Sequence, residues 1–302
     1  MTIQFWRETM SRTRYQEPIV VRKGLDFGLD QDDIPRYWLG GNPFRTRLFD
    51  AVQASFPDGE RYFISSVRNF RERITDKKLL QAVKDFTMQE GQHGQVHTQF
   101  NERLRRQGIN IDAFVQHTKR MCDGRLQNYS AEYNVAFTAA LEHFTAMMAD
   151  LFFAEKEMLD GADPRVRAMF AWHAIEEMEH KSVAFDVMQQ VAHVGYLTRV
   201  TAMTHATTLF TLFTLVAPWY MLGMDGLSVT ERLKLYRENL AWLTGPRKGM
   251  LGRLLPMLAS YYRPGFHPEH IPSVHNYGAW LEAYERTGDT QAAANAMHSA
   301  AA

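Results

Sequence analysis

The chain has 302 residues, 45% of them hydrophobic, with Lys+Arg and Asp+Glu balanced at 34 each. That length is ample for a sizeable core in one large domain or two ordinary ones. Zero net charge speaks against a nucleic-acid footprint or a general affinity for acidic membranes, and the single Cys122 excludes an internal disulfide framework.

Residues 1–42 read as an arm rich in charge, Gly and Pro, with Trp38-Leu39-Gly40-Gly41 as a turn. Its first 18 residues lack the apolar run of a secretory signal, so the expected compartment is the cytoplasm. Apolar residues then recur at helical spacing through Phe44, Leu48, Val52 and Phe56. Pro57-Asp58-Gly59 interrupts them before Glu60 and Tyr62-Phe63, which predicts a helix kinked or restarted at Pro57. Ile74-Thr75-Asp76 reads as a turn and cap for a long helix from 77 to about 107, ended by Gly108.

Residues 108–129 read as a crossover with short irregular helices. A third long helix is expected over about 130–159 and, after the turn Asp160-Gly161-Ala162-Asp163-Pro164, a fourth over about 165–194. Residues 43–195 are therefore expected to form an all-α four-helix bundle, two antiparallel hairpins joined by a long crossover. Residues 196–290 are expected to add helices that pack on it. The uncharged stretch 200–224 is long enough to span a bilayer. Its many threonines and Pro218 favour a buried or interface helix, with membrane contact as the second reading. A basic amphipathic segment follows over 231–262, then the loop Arg263-Pro264-Gly265-Phe266-His267-Pro268 and a short helix near 277–286. The Ala-rich end, 291–302, reads as a frayed or disordered tail.

Two Glu-x-x-His motifs carry the chemistry, Glu90…His93 and Glu177…His180. Residues three apart on a helix lie roughly 60° apart around the axis, so each pair can bind a metal ion from one helix face. Alone, either motif would pass for a solvated helix face. Each, however, has a lone upstream glutamate in the partner helix of its hairpin, Glu60 for the first and Glu142 for the second. The midpoint of Glu60 and Glu90 falls at residue 75, in the first turn, and that of Glu142 and Glu177 falls beside Asp160, in the second. Both hairpins thus bring a glutamate level with its motif. Glu142 is the most telling of the set, because Ala139-Ala140-Leu141 before it and Phe144 to Met148 after it offer its charge nothing but a cation or a salt bridge from another helix. Four carboxylates and two neutral imidazoles around two divalent ions sum to zero charge, which suits an apolar interior. The expected ligands are Glu60, Glu90, His93, Glu142, Glu177 and His180, with Glu176 as the rival to Glu177. His97 and His173 share these faces as an extra ligand, a proton relay or hydrogen-bonded core histidines. Asp150 could orient a ligand histidine or serve only as a cap or salt bridge, and His143 points about 100° away from Glu142.

At these residues the chain resembles the ferritin-like superfamily of dinuclear carboxylate proteins. More closely, it resembles the bacterial family of predicted metal-dependent hydrolases. The pieces that carry the likeness are Phe56-Pro57-Asp58-Gly59-Glu60-Arg61-Tyr62-Phe63, Gln89-Glu90-Gly91-Gln92-His93, Glu142-His143, His173-Ala174-Ile175-Glu176-Glu177-Met178-Glu179-His180-Lys181 and the Arg263 to Pro268 loop. The resemblance implies the same six ligands. Three classes of function follow. The first, which the ferritin-like resemblance favours over the other two, is a di-iron enzyme that activates dioxygen, with an external electron donor, to oxidise a hydrophobic small molecule. The second is a hydrolase whose two metals, iron, manganese or zinc, activate a water. The third is iron oxidation and storage, or a metal-stapled bundle. Neither a phosphate-cradling Gly-rich loop nor a Gly-x-Ser-x-Gly elbow is present. A homodimer stays open.

Overall fold

Helices begin in this chain where a side chain can take up their free backbone N–H groups. Asn42 accepts from the Arg45 N–H and opens helix α1, Pro43–Arg68. Asp76 accepts from Lys78 and Leu79 and opens α2, Lys77–Arg106. Ser130 caps α4, Ala131–Ala154, and Asp163 caps α5, Pro164–His180, which starts on its proline. These four helices form two hairpins, α1 with α2 and α4 with α5, and α1 also lies against α4. The computed structural model describes residues 17–246 and 249–301. The first part of the arm, including most of the stretch read as lacking a secretory signal, lies outside the described residues.

Several expectations are corrected. Helix α1 is not restarted at Pro57 but runs on through it. An interior proline costs about 3 kcal/mol, but Phe63 and Val67 beyond it join the same buried core as Phe44 and Leu48 before it. Each such side chain returns roughly 1.5–3 kcal/mol. The crossover is one 17-residue helix, α3, Asp112–Asn128, laid along α1 with half-buried rather than buried residues. Helix α5 stops at His180 and is followed by a four-residue helix α6, Val183–Asp186, and a π-helical turn over Val187–Val191. At the break, Lys181 Nζ donates to the Ile271 carbonyl and Ser182 Oγ to Glu269, so both side chains turn toward the distant segment 263–276.

Helix α7, Tyr196–Met224, crosses α4 and α1. Its length and composition would allow it to cross a membrane, and 28% of its most apolar window is buried. The basic segment divides at Gly245-Pro246 into α8, Val229–Thr244, and α9, Met250–Tyr261. Helix α10, Tyr277–Thr287, leads to α11, Thr290–Ser299, where a disordered tail was expected. Asp289 caps α11, and its alanines, the best helix formers, let Ala293, Ala294 and Met297 bury against α5 and α10.

The described part of the arm pins the turn between α4 and α5. The Gly40 N–H donates to the Gly161 carbonyl and the Asp163 N–H to that of Trp38. Both glycines have positive φ, and a Cβ on Gly161 would come within 3.1 Å of the Gly40 Cα, so the close approach needs glycine there. Trp38 stacks on Phe170 and donates its indole N–H to Asp50. Apart from one isolated bridge, Leu39 with Ala162, there is no β pairing among the described residues.

Candidate metal centre

The four paired helices aim their polar residues at one another. Helix α1 supplies Glu60, α2 supplies Glu90, His93 and His97, α4 supplies Glu142, and α5 supplies His173, Glu177 and His180. None of the eight is more than 6% exposed. They form two adjoining clusters, Glu60 with His93 and His173, and Glu90 with Glu177 and His180, each with its donor atoms within 4.8 Å of one another. Glu177 spans the two. Its Oε1 lies 2.9 Å from His173 Nε2 and 3.7 Å from His93 Nδ1, while its Oε2 lies 3.4 Å from His180 Nε2. His180 Nε2 is also 3.3 Å from Glu90 and 3.5 Å from Glu142.

The chemistry of the donors tests whether metal ions fit. Both oxygens of Glu60, Glu90 and Glu142, Oε2 of Glu177, Nδ1 of His93 and Nε2 of His180 are buried without a hydrogen-bond partner. A buried polar atom left unpaired costs roughly 1–3 kcal/mol, more when charged. So many in one place mark a site for cations, and divalent ions fit this set of carboxylates and imidazoles.

The electrostatics agree. Burial, reinforced by the neighbouring carboxylates, pushes Glu60 and Glu90 well above the usual carboxylate range. Burial and Glu177 push Glu142 up to about 7. Burial would raise Glu177 too, but His180 and His173 hold it well below the usual range. Burial opposes a charge on His180, yet the carboxylates around it raise it well above an ordinary histidine. Burial and His173 keep His93 and His97 well below theirs, so both are neutral and can ligate. Protons therefore balance the cluster where cations do not.

Behind these residues runs a hydrogen-bonded shell. His93 Nε2 pairs with Glu176 Oε2 at 3.1 Å, which leaves Nδ1 facing the cluster. His180 Nδ1 pairs with Gln89 Oε1 at 2.8 Å, which leaves Nε2 facing it. Gln89 donates to Glu179 at 2.8 Å, and Trp172 Nε1 donates to Glu176 at 2.9 Å. From the arm, buried Arg22 joins the two halves, with Nη1 3.2 Å from Glu176 and Nη2 2.7 Å from Glu179. Tyr277 of α10 also donates to Glu179.

The six expected ligands are thus brought together, and Glu176 and Glu177 are separated by role: Glu177 faces the cluster, and Glu176 stands behind His93. His173 lies in the cluster itself. His97 hydrogen-bonds to His173 at 2.6 Å and lies 3.9 Å from Glu60. Asp150 is not brought in; it is half-buried two turns beyond Glu142, with His275 and Glu155 as its charged neighbours. His143 faces away, to the Met257 carbonyl. Sequence reasoning missed Arg22, Gln89, Glu179 and Trp172. Gln89 and Glu179 each directly precede a motif residue, which was a usable signal; Arg22, far off in the arm, offered none.

Two apolar spaces meet the cluster. A cavity of about 750 Å³ opens between α1, α3, α4 and α7, with Glu60 in its wall. A void of about 40 Å³, lined largely by Phe and Met side chains, lies against His173 and Glu177. The two share Val52, Phe56, Thr145, Met148 and Phe210. A separate open groove of about 500 Å³ between α1 and α2 reaches Glu90 past Arg61, Gln95 and Thr98.

No curated protein and no solved structure matches the chain. A family model described as "Predicted metal-dependent hydrolase" matches residues 21–271. The helices that carry the cluster, and the residues behind it apart from Tyr277, fall within that span, and the chain belongs to this family of predicted metal-dependent hydrolases.

Proposed function

We propose that the chain is a dinuclear metalloenzyme acting on a hydrophobic small molecule, and that its reaction is hydrolysis. The observation that carries the first part is the apolar cavity whose wall includes Glu60, a carboxylate of the buried cluster. The family description supports the second part, and it favours this reading over the oxidation that the motif alone suggested first. Glu60, His93 and His173 would hold one ion and Glu90, Glu142 and His180 the other, with Glu177 between them. Two divalent ions there supply an activated water and a polarised acyl oxygen or, if they are redox-active, electrons for dioxygen. The rest falls to the chain's own residues. Phe56, Phe144 and Phe210 wall the approach and keep bulk water from the cluster. His97 pairs with His173 Nδ1, which turns His173 Nε2 toward the cluster, and His97, 3.9 Å from Glu60, can hold or move a proton at the cluster edge.

One observation favours a second reading, oxidation of the same class of substrate. The donor set holds four carboxylates and is reached through apolar walls, which suits iron or manganese better than zinc. The deciding experiment loads the protein separately with zinc, manganese and iron, counts bound metal, and assays acyl esters of increasing chain length with and without oxygen. Metal-dependent cleavage that is indifferent to oxygen and strengthens with chain length is expected. Oxygen consumption by the iron form without ester cleavage would transfer the assignment to oxidation. Failure to bind any metal would remove both readings.

A further inference from the structure

We propose that the substrate is an amphiphilic carboxylate, with its head group held by Arg125 and its apolar chain lying in the cavity toward Glu60. This rests on the reading above and deepens it by naming the substrate class: for hydrolysis, an ester or amide whose carboxylate head is separated from the scissile bond by an apolar chain, so that the bond lies toward Glu60; for oxidation, a fatty acid.

The walls of the cavity are apolar, and their charged groups are unevenly matched. Its one carboxylate is Glu60, which belongs to the metal cluster, whereas Arg120 and Arg125 bring two guanidinium groups. Neighbouring cations on the same surface are neutralised: Arg61 pairs with Asp58 and Asp123, and Lys119 with Asp123. Neither Arg120 nor Arg125 has a carboxylate within ion-pair distance among the described residues.

Arg125 is the better placed of the two. It is half-buried, its guanidinium lies 4.0 Å from the centre of the Phe137 ring, and Nη2 donates to His205 Nε2 at 3.2 Å. An acceptor at His205 Nε2 requires the neutral ring, whose Nδ1–H is then given to Tyr133 Oη at 3.0 Å. His205 therefore fixes Arg125 without cancelling its charge. The other terminal nitrogen, Nη1, is buried with no partner at all. A stacked, held guanidinium with a spare buried donor is a preformed seat for an anionic oxygen.

The rest of the cavity fits the apolar part of such a molecule. Its volume of about 750 Å³ falls within the roughly 300–1,000 Å³ of sites that enclose a small organic ligand. Around it Met121, Leu212, Val216 and Tyr220 are each at least 41% exposed, an apolar rim suited to taking an amphiphile from a micelle or bilayer. Charge at the head and Glu60 further along the wall give the chain a direction.

Binding to the metal-loaded protein tests this without reading turnover. Hexadecanoate and hexadecanol compete with a fluorescent fatty-acid probe, on the wild type, on Arg125→Gln and on Arg125→Met; the methionine keeps an unbranched stem over Phe137 should the glutamine variant fail to fold. The acid is expected to bind the wild type about tenfold or more tightly than the alcohol. Either variant should bring the acid down to the alcohol while alcohol affinity and metal content stay unchanged. Equal binding of acid and alcohol by the wild type overturns the head-group assignment and leaves the metal site standing. A preference for the acid that survives in the variants means that the metal cluster holds the carboxylate, and it also overturns the assignment. An enzyme that proves to oxidise rather than hydrolyse leaves the expected binding result intact.

Discussion

The cluster lies between two walls built on opposite principles. Behind His93 and His180 almost every polar atom is matched: Arg22, Gln89, Glu176, Glu179, Trp172 and Tyr277 form one hydrogen-bonded shell. Toward α7 the wall is Phe, Met and Thr around open space, and the carboxylates that reach it, Glu60 and Glu177, face histidines of the cluster. The first wall fixes which nitrogen of each histidine faces inward. The second fixes almost nothing, and so leaves room for what must come and go. Order is concentrated where donor atoms need aiming, and open space where the proposed substrate would enter.

Breaking the inner set should have the largest effect. Glu142→Ala is expected to lower bound metal below two ions per chain, read by elemental analysis after loading; full retention would remove Glu142 from the ligand set. Next comes the polar wall. Arg22→Ala leaves Glu176 and Glu179 buried without their cation and should cost about 3–5 kcal/mol in denaturant unfolding, with Arg22→Lys recovering part of the loss. An unchanged midpoint would show that the arm is not what holds the shell. Glu176→Gln keeps the packing but weakens the acceptor behind His93, so metal affinity should fall roughly 10–100-fold while the fold survives.

Acidity probes the same contrast. Glu60 and Glu90 are held protonated by burial and by neighbouring carboxylates, and Glu142 titrates at about 7. Metal must displace those protons, so affinity should rise with pH through neutrality and fall as pH drops toward 5. Titration calorimetry in buffers of different ionisation enthalpy should register proton release at pH 6; none would mean that the carboxylates are already ionised. The smallest effect belongs outside both walls. Asp150→Asn should leave metal content unchanged and stability within about 0.5 kcal/mol.

Much of this was legible in the sequence because metal binding imposes a pattern on it. Fixed spacing within a helix turn, and equal distance from a turn in a hairpin, gave Glu60, Glu90, His93, Glu142, Glu177 and His180 from local rules alone. The continuity of α1 through Pro57 was not legible, because tertiary burial on both sides of the proline overrode a local cost. The helical tail was missed because alanine's propensity matters only once α5 and α10 give α11 a surface to cover. Arg22 could not be found for a similar reason: its partners are set by topology, and no spacing near it announces them. His173 was seen on the right face with its role left open, since sequence cannot tell a donor 2.9 Å from Glu177 from one a shell further out.

The arm has a consequence for how the protein matures. Arg22 meets Glu176 and Glu179 across 154 and 157 residues of chain. During synthesis the arm emerges early, yet it has nothing to grip until α5 has been made and folded against α2. Closing so long a loop is slow and comes late. Until then His93 and His180 lack their fixed orientation, and a metal captured early would meet loosely aimed ligands. Once the arm docks, the same contact buries the polar shell and stands between the ions and solvent on that side. Docking last, the arm would close over the charged cluster and slow the exchange of any ions bound there.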